Sequence, residues 1–398
     1  MRIWPSSWLS RDSGRMTAIG VPAVLALALV LSGAAQDAAV AAPRVGHSCA
    51  WSIVPSPSPG TDRNMLFGAS GAPGGQVWAV GDRVSPGSAR FVAPAVERWT
   101  GSTWGVRVLP GNQSNLLGVF APARADVWAV GFFIIELDNT LPVIDHFNGR
   151  TWRMVASPRI RFGVLSGVGG TSGRDIWAVG RKLARPTVTV IEHYSGHAWT
   201  RIASPSPVTD YIDFGAIKAV SPRDVWAAGD YLNAKGVSRT LIEHYNGRSW
   251  TIVPSPDIGR GDNFLSGVAA LGPRNVWAVG RARVGSRFVP LALRWNGHAW
   301  SARTLPAAGP GDNTLNGVTS AAGNLWAVGS AADARGVQRT LTERYADGRW
   351  RIVPSPDANS ADNTLYAAAV TGGDQVWAVG NWTSPTRGRT LTMRRCAG

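Results

Sequence analysis

Between residues 50 and 398, short apolar runs alternate with polar turns rich in glycine, proline and asparagine. That pattern predicts many short strands. The run Val77-Trp78-Ala79-Val80-Gly81 is apolar on both alternating faces. It returns six times, around Trp128, Trp177, Trp226, Trp277, Trp326 and Trp377. Successive tryptophans are 50, 49, 49, 51, 49 and 51 residues apart, a period that marks a repeat architecture. A strand apolar on both faces must be covered on both, and radially stacked blades cover it so. The alanine after each of these tryptophans suggests a socket in which the tryptophan of one blade presses on the small residue of the next.

A second tryptophan follows each of the first six (Trp104, Trp152, Trp199, Trp250, Trp300 and Trp350). Most follow a turn such as Asn246-Gly247-Arg248-Ser249, and Asn-Gly between apolar runs signals a hairpin. A short strand then stops at proline, as in Trp250-Thr251-Ile252-Val253-Pro254, because proline cannot donate to a ladder. Each repeat thus offers four strands, A to D. In the fifth these are A near Leu265–Val268, B at Asn275–Gly280, C near Pro290–Trp295 and D at Trp300–Thr304. The seventh repeat stops after its C strand, Thr390–Arg395, while Trp51-Ser52-Ile53-Val54-Pro55-Ser56-Pro57 matches Trp250–Pro256. The sequence therefore predicts an all-β, seven-bladed β-propeller of four-stranded blades. The N-terminal strand completes the last blade and leaves no open sheet edge.

The blade resembles the Kelch repeat of galactose-oxidase-type propellers over about residues 50–398. The marks are Val279-Gly280, Trp295 and Trp300 in the fifth blade, and Gly229, Tyr245 and Trp250 in the fourth. The second glycine of the Kelch pair is replaced by Asp82, Phe132, Arg181, Asp230, Arg281, Ser330 and Asn381. The copper chemistry of the oxidases in that group is not carried over, because it needs a modified cysteine and both cysteines here have another use.

Composition adds a compartment. Arg2, Arg11 and Arg15 precede the apolar stretch Ile19–Leu31, and Ala39-Val40-Ala41 offers a cleavage site. Residues 1–41 read as a secretion signal, 42–49 as a lead-in and 50–398 as the propeller. The mature chain is then secreted and extracellular, with no transmembrane segment, and is expected to be a monomer. Cys49 and Cys396 stand at opposite ends of it. In an oxidising compartment two cysteines suggest one disulfide, and in register both fall at the C–D turn of blade seven.

The formal charge is +15, with only three lysines (Lys182, Lys218 and Lys235). The segment before Ala42 holds three arginines and two aspartates, so the mature chain keeps +14. Such a balance favours anionic partners. Arginines recur between strands B and C, and Arg239, Arg339 and Arg389 occupy one position in three blades. The loop before strand A repeats Asp262-Asn263, Asp312-Asn313 and Asp362-Asn363. These are either Asx-turns or oxygen ligands for a cation or for sugar hydroxyls. His146, His193 and His244 share a strand-C position held elsewhere by Arg98, Arg294, Arg344 and Arg394, which reads as a packing or ion-pair position. Two features break the symmetry. Phe132-Phe133-Ile134-Ile135 is either an extended strand or a contact patch, and Tyr211–Lys218 brings Asp213 and Lys218 toward the axis.

No catalytic set, metal cluster or cofactor motif is expected from these residues. The function they favour is a non-enzymatic binding or scaffold propeller for an anionic extracellular or envelope polymer or a protein partner, without specific nucleic-acid recognition. The alternative is a carbohydrate-active hydrolase or lyase using the axial pocket.

Overall fold

The computed structural model describes residues 49–84, 92–107, 109, 114–136, 139–207, 209–372, 375–384 and 387–395. The expected signal segment and Cys396 lie outside the described residues. Seven four-stranded antiparallel sheets form a β-propeller. In six blades the strands run A-B-C-D in chain order, and in the seventh the fourth strand is Trp51–Ile53. It pairs with Gly388–Arg395, placing Trp51 opposite Arg395 and Ile53 opposite Met393. The junction continues beyond the strand: Val54 N donates to Thr392 O at 2.9 Å, and the Thr390 hydroxyl donates to Pro57 O at 2.6 Å. Among the described residues no helix is long and apolar enough to cross a membrane.

The strands are longer than the apolar runs suggest. Blade five comprises Asn263–Gly272, Asn275–Val284, Arg287–Trp295 and Trp300–Arg303. Its A strand shifts register between Leu265 and Gly267. The extra residue of such a bulge breaks the period-two alternation, which hides the strand's true length. The bulge also explains the glycine that ends every Trp-Ala run. A methyl group at Gly280 would meet the Phe264 carbonyl oxygen at 1.9 Å.

The core is a ring of seams between neighbouring blades. Trp78 of blade one is fully buried and clusters with Ala129 of blade two. Its indole meets Phe147 at 5.1 Å and Trp152 edge-on at 5.5 Å. Trp377 of blade seven meets Trp99 and Trp104 of blade one in the same manner. Trp326 meets Trp51 at 5.8 Å and 85°, so the N-terminal strand packs as a D strand should. Each such aromatic pair adds about 0.5–1.5 kcal/mol beyond the area it buries. Phe132–Ile135 belongs to strand B of blade two, Asp126–Glu136. Phe132 is buried and Phe133 joins the core, leaving only Ile135 largely exposed at 49%.

Candidate functional site

Antiparallel blades give the ring two ends. The D–A connections and B–C loops share one end, and the A–B and C–D turns share the other.

At the D–A/B–C end the repeated Asp-Asn pairs are engaged within the ring. Asn263 is fully buried; its Oδ1 accepts from Ile258 N at 2.8 Å, and its Nδ2 donates to Gly261 O at 2.9 Å. Asn313 and Asn363 close their loops likewise. Asp262 accepts from Ser238 N, Asp312 from Phe288 N and Asp362 from Gln338 N, at 3.0, 2.7 and 2.9 Å. Each aspartate thereby ties a D–A loop to strand C of the preceding blade. Arg239 donates to the carbonyls of Gly261 and Arg260 at 3.2 and 3.3 Å. Arg339 donates twice to Asp333 Oδ2, at 3.2 and 3.0 Å, and to Asn359 O at 3.4 Å. Arg389 lies half-buried at the matching position of blade seven.

An asymmetric charged cluster lies deeper at this end, where the second Kelch glycine would stand. Arg181 forms an ion pair with Asp213, and both are almost closed to solvent. Asp213 lies directly opposite Asp230 across the A–B ladder of blade four. Burial and the adjacent Asp213 push the Asp230 carboxyl well above its ordinary range, against the pull of Arg181 and Arg281. Arg281 is held between Phe264 and Phe288, 4.7 and 4.6 Å from their ring centres. Arg181 thus faces the Asp213 carboxylate inside the wall, while burial and Asp213 disfavour a second negative charge on Asp230. Lys218 sits opposite Trp226, half-buried, and burial pulls its ammonium pKa down.

At the other end the histidines pair with acids at the start of strand B. His146 bonds Asp126, His193 bonds Asp175 and His244 bonds Asp224, each at 2.8 Å. Each ring also stacks at 4.0 Å on the strand-B tryptophan of its blade, Trp128, Trp177 or Trp226. Blades with Arg98, Arg294, Arg344 and Arg394 have Gln76, Asn275, Asn324 and Gln375 in place of the aspartate. In blade five Arg294 donates to Asn275 Oδ1 at 3.0 Å. The acid–histidine and amide–arginine pairs covary, a signal open to sequence reading.

Between blades two and three this end opens into a cavity of about 460 Å³ lined by Asp126, His146, Asn148, Arg174 and Tyr194, among others. Among the described residues no group of three or more metal-ligating side chains comes together.

A further set of acids lies one residue before the strand-C histidine or arginine position. Glu97, Asp145, Glu192, Glu243 and Glu343 are buried in strand C. Burial pushes the four glutamates up to about 8 and Asp145 to about 7. Leu293 and Met393 hold the same place in blades five and seven.

No family model matches the chain, and no curated protein matches it. Solved propellers do. YCF48 from Cyanidioschyzon merolae superposes with a TM-score of 0.52 at 13% identity, over 87% of this chain and 98% of that one. YCF48 bound to D1 peptide gives 0.51 at 14%, over 87% and 96%. The extracellular domain of the putative hybrid two-component system BT4673 from B. thetaiotaomicron gives 0.52 at 10%, over 86% and 39%. At such identities the likeness establishes the β-propeller and not the Kelch subtype.

Proposed function

We propose that the chain is a secreted, non-enzymatic binding propeller that holds an anionic envelope or extracellular polymer electrostatically. The observation that supports this reading is how charge is disposed on the ring. Five acids of its D–A loops are engaged within the ring: Asp257, Asp262, Asp312, Asp357 and Asp362 each accept a backbone amide. Arginines such as Arg150, Arg174, Arg223, Arg260, Arg287 and Arg335 stand exposed. Between blades one and two the positive field is dense enough to act on the protein itself. Arg98 is pulled below its ordinary pKa by burial and then by Arg107 and Arg124. At the D–A/B–C end Arg239 and Arg339 are paired with Asp257, Asp333 and Asp357 and contribute less to the field. In the YCF48 complex a ring of this fold carries a D1 peptide, which supports a binding role for such a ring.

A hydrolase would need carboxyls open to a substrate. Asp213 and Asp230, which face each other across the A–B ladder of blade four, are buried and bracketed by arginines. The test is retention of the purified protein on immobilised polyanions as ionic strength rises. Screening shortens from about 30 Å at 0.01 M to about 8 Å at 0.15 M, so retention should fall steeply over that range. Salt-independent binding of a neutral sugar, or turnover of a glycan, would overturn the reading. N-terminal sequencing of protein from the culture medium should begin at Ala42.

A further inference from the structure

Three seams at the A–B/C–D end share one constellation. Blade two contributes Asp126 and His146, and blade three contributes Arg174 and Tyr194. The next seam has Asp175 and His193 against Arg223 and Tyr245. The third has Asp224 and His244 against Arg274 and Trp295. The aromatic of the following blade leans on the stacked tryptophan at 4.7, 4.8 and 5.0 Å respectively. The histidines retain 23–27% of their side-chain exposure, and the three arginines are exposed. The stem of each arginine rests on a C–D turn glycine of its own blade. Around Gly247, at φ +90°, an added methyl would come within 2.8 Å of Arg223 Cβ. Gly196 and Gly297 seat Arg174 and Arg274 in the same way. The stems are thus fixed while the guanidinium groups face outward. Among the described residues no carboxylate lies within salt-bridge distance of these three arginines.

The remaining seams lack the set. Their strand-B position is an amide and their strand-C position an arginine. The residue matching Arg174 is Gly323, Asp374, Gly75 or Ala125. Acid, histidine and exposed arginine therefore coincide in three consecutive seams, and the first of them opens into the 460 Å³ cavity, within the usual range for ligand sites.

We propose that these three seams are tandem subsites for non-adjacent sugar units along one chain of a carboxylate-bearing polysaccharide, since stacked sheets lie about 10 Å apart. This rests on the anionic-polymer reading above and narrows it. Arginine's planar fork suits a carboxylate. Asp126 and Asp224 each keep a second carboxylate oxygen besides the one bonded to histidine, and those oxygens accept hydroxyl protons; in the middle seam Asp175 Oδ2 already accepts the Thr171 hydroxyl. A sugar acid can turn its hydroxyls to these aspartates and its carboxylate to the arginines, whereas inorganic polyphosphate has no hydroxyls along its chain and presents charge on every side. Each subsite is weak alone, and three on neighbouring blades bind by avidity.

The experiment measures binding of polygalacturonate, inorganic polyphosphate and dextran to the full protein and two variants by calorimetry at low salt. In Arg174→Gln/Arg223→Gln/Arg274→Gln, polygalacturonate affinity should fall about 10-fold or more. In Asp126→Asn/Asp175→Asn/Asp224→Asn it should fall too, while polyphosphate binding strengthens. A purely structural clasp predicts no such opposite response. The amides are already accommodated at this position in blades five and six, and circular dichroism checks the fold. If the unaltered protein binds no polyanion, the broader reading fails. If it binds but the arginine variant binds polygalacturonate equally well, or polyphosphate binds the unaltered protein as tightly, the subsite assignment alone is overturned.

Discussion

The two ends of the ring use arginine in opposite ways. At the D–A/B–C end Arg339 reaches Asp333 and a loop carbonyl, and Arg239 reaches two; there the guanidinium is a brace. At the A–B/C–D end Arg174, Arg223 and Arg274 have fixed stems and outward heads, and the nearby acids are bonded to histidine. The difference lies in where the carboxylates are placed, because arginine frequency is high at both ends. Counting arginines on loops therefore says little about binding until their acids are located.

The sharpest way to break the comparison is inside the brace end. Arg181→Met leaves Asp213 and Asp230 buried without one of their counter-charges and should cost about 3–5 kcal/mol in chemical denaturation. Adding Asp213→Leu should recover most of that loss. At the opposite end of blade seven, Trp51 pairs with Arg395. Cys49 and Cys396 flank that pair in sequence, and we expect them to be bonded. Peptide mapping without reductant should find them linked, and Cys49→Ser should cost about 2–4 kcal/mol. Gly247→Ala disturbs the seat of Arg223 in a left-handed conformation and should cost about 1–2 kcal/mol. It should also weaken polygalacturonate binding, which a brace-end change should not.

Buried strand-C acids give a pH signature common to both ends. Their folded pKa, about 8 for Glu343, exceeds the ordinary 4.5, so the native state holds a proton that the unfolded chain releases. The contribution is most favourable below pH 4.5, declines as pH rises toward 8 and then levels. Glu343→Met copies blade seven and should be more stabilising at pH 8 than at pH 4 by up to about 4 kcal/mol, read from denaturation midpoints. The smallest effect is expected for Arg339→Ala. A half-exposed pair of this kind contributes about 0.2–1 kcal/mol, and polygalacturonate binding should be unchanged.

The architecture was legible because blade stacking requires one tryptophan and one small residue at a fixed period, and closure left a matching fragment at each end of the chain. Strand lengths were less legible, since the bulge after Leu265 offsets the alternation. The Asp-Asn loops illustrate a harder problem. Asx-turn and ligand readings demand the same residues, and only the direction of the Asn263 amide distinguishes them. Asp213 was marked by its break from the repeat, but its partner Arg181 lies in the neighbouring blade and no local pattern joins them. The Asp126–His146 pair could have been found by asking which positions vary together among the seven copies.

Closure of the ring fixes an order of events. Of the ring's described strands Trp51–Ile53 is synthesised first, yet its partner, Gly388–Arg395, comes last; the Ser52–Arg394 contact spans 342 residues. Until then the strand has no ladder to join, and the face of Trp326 that it covers remains open. Six blades can assemble as the chain lengthens, while the seventh must wait for the last repeat to meet the first strand. Contacts so distant in sequence slow the final step and leave an open edge exposed to other chains meanwhile. A nascent or truncated ring thus announces its incompleteness at a single place, where a protease or a chaperone would find it.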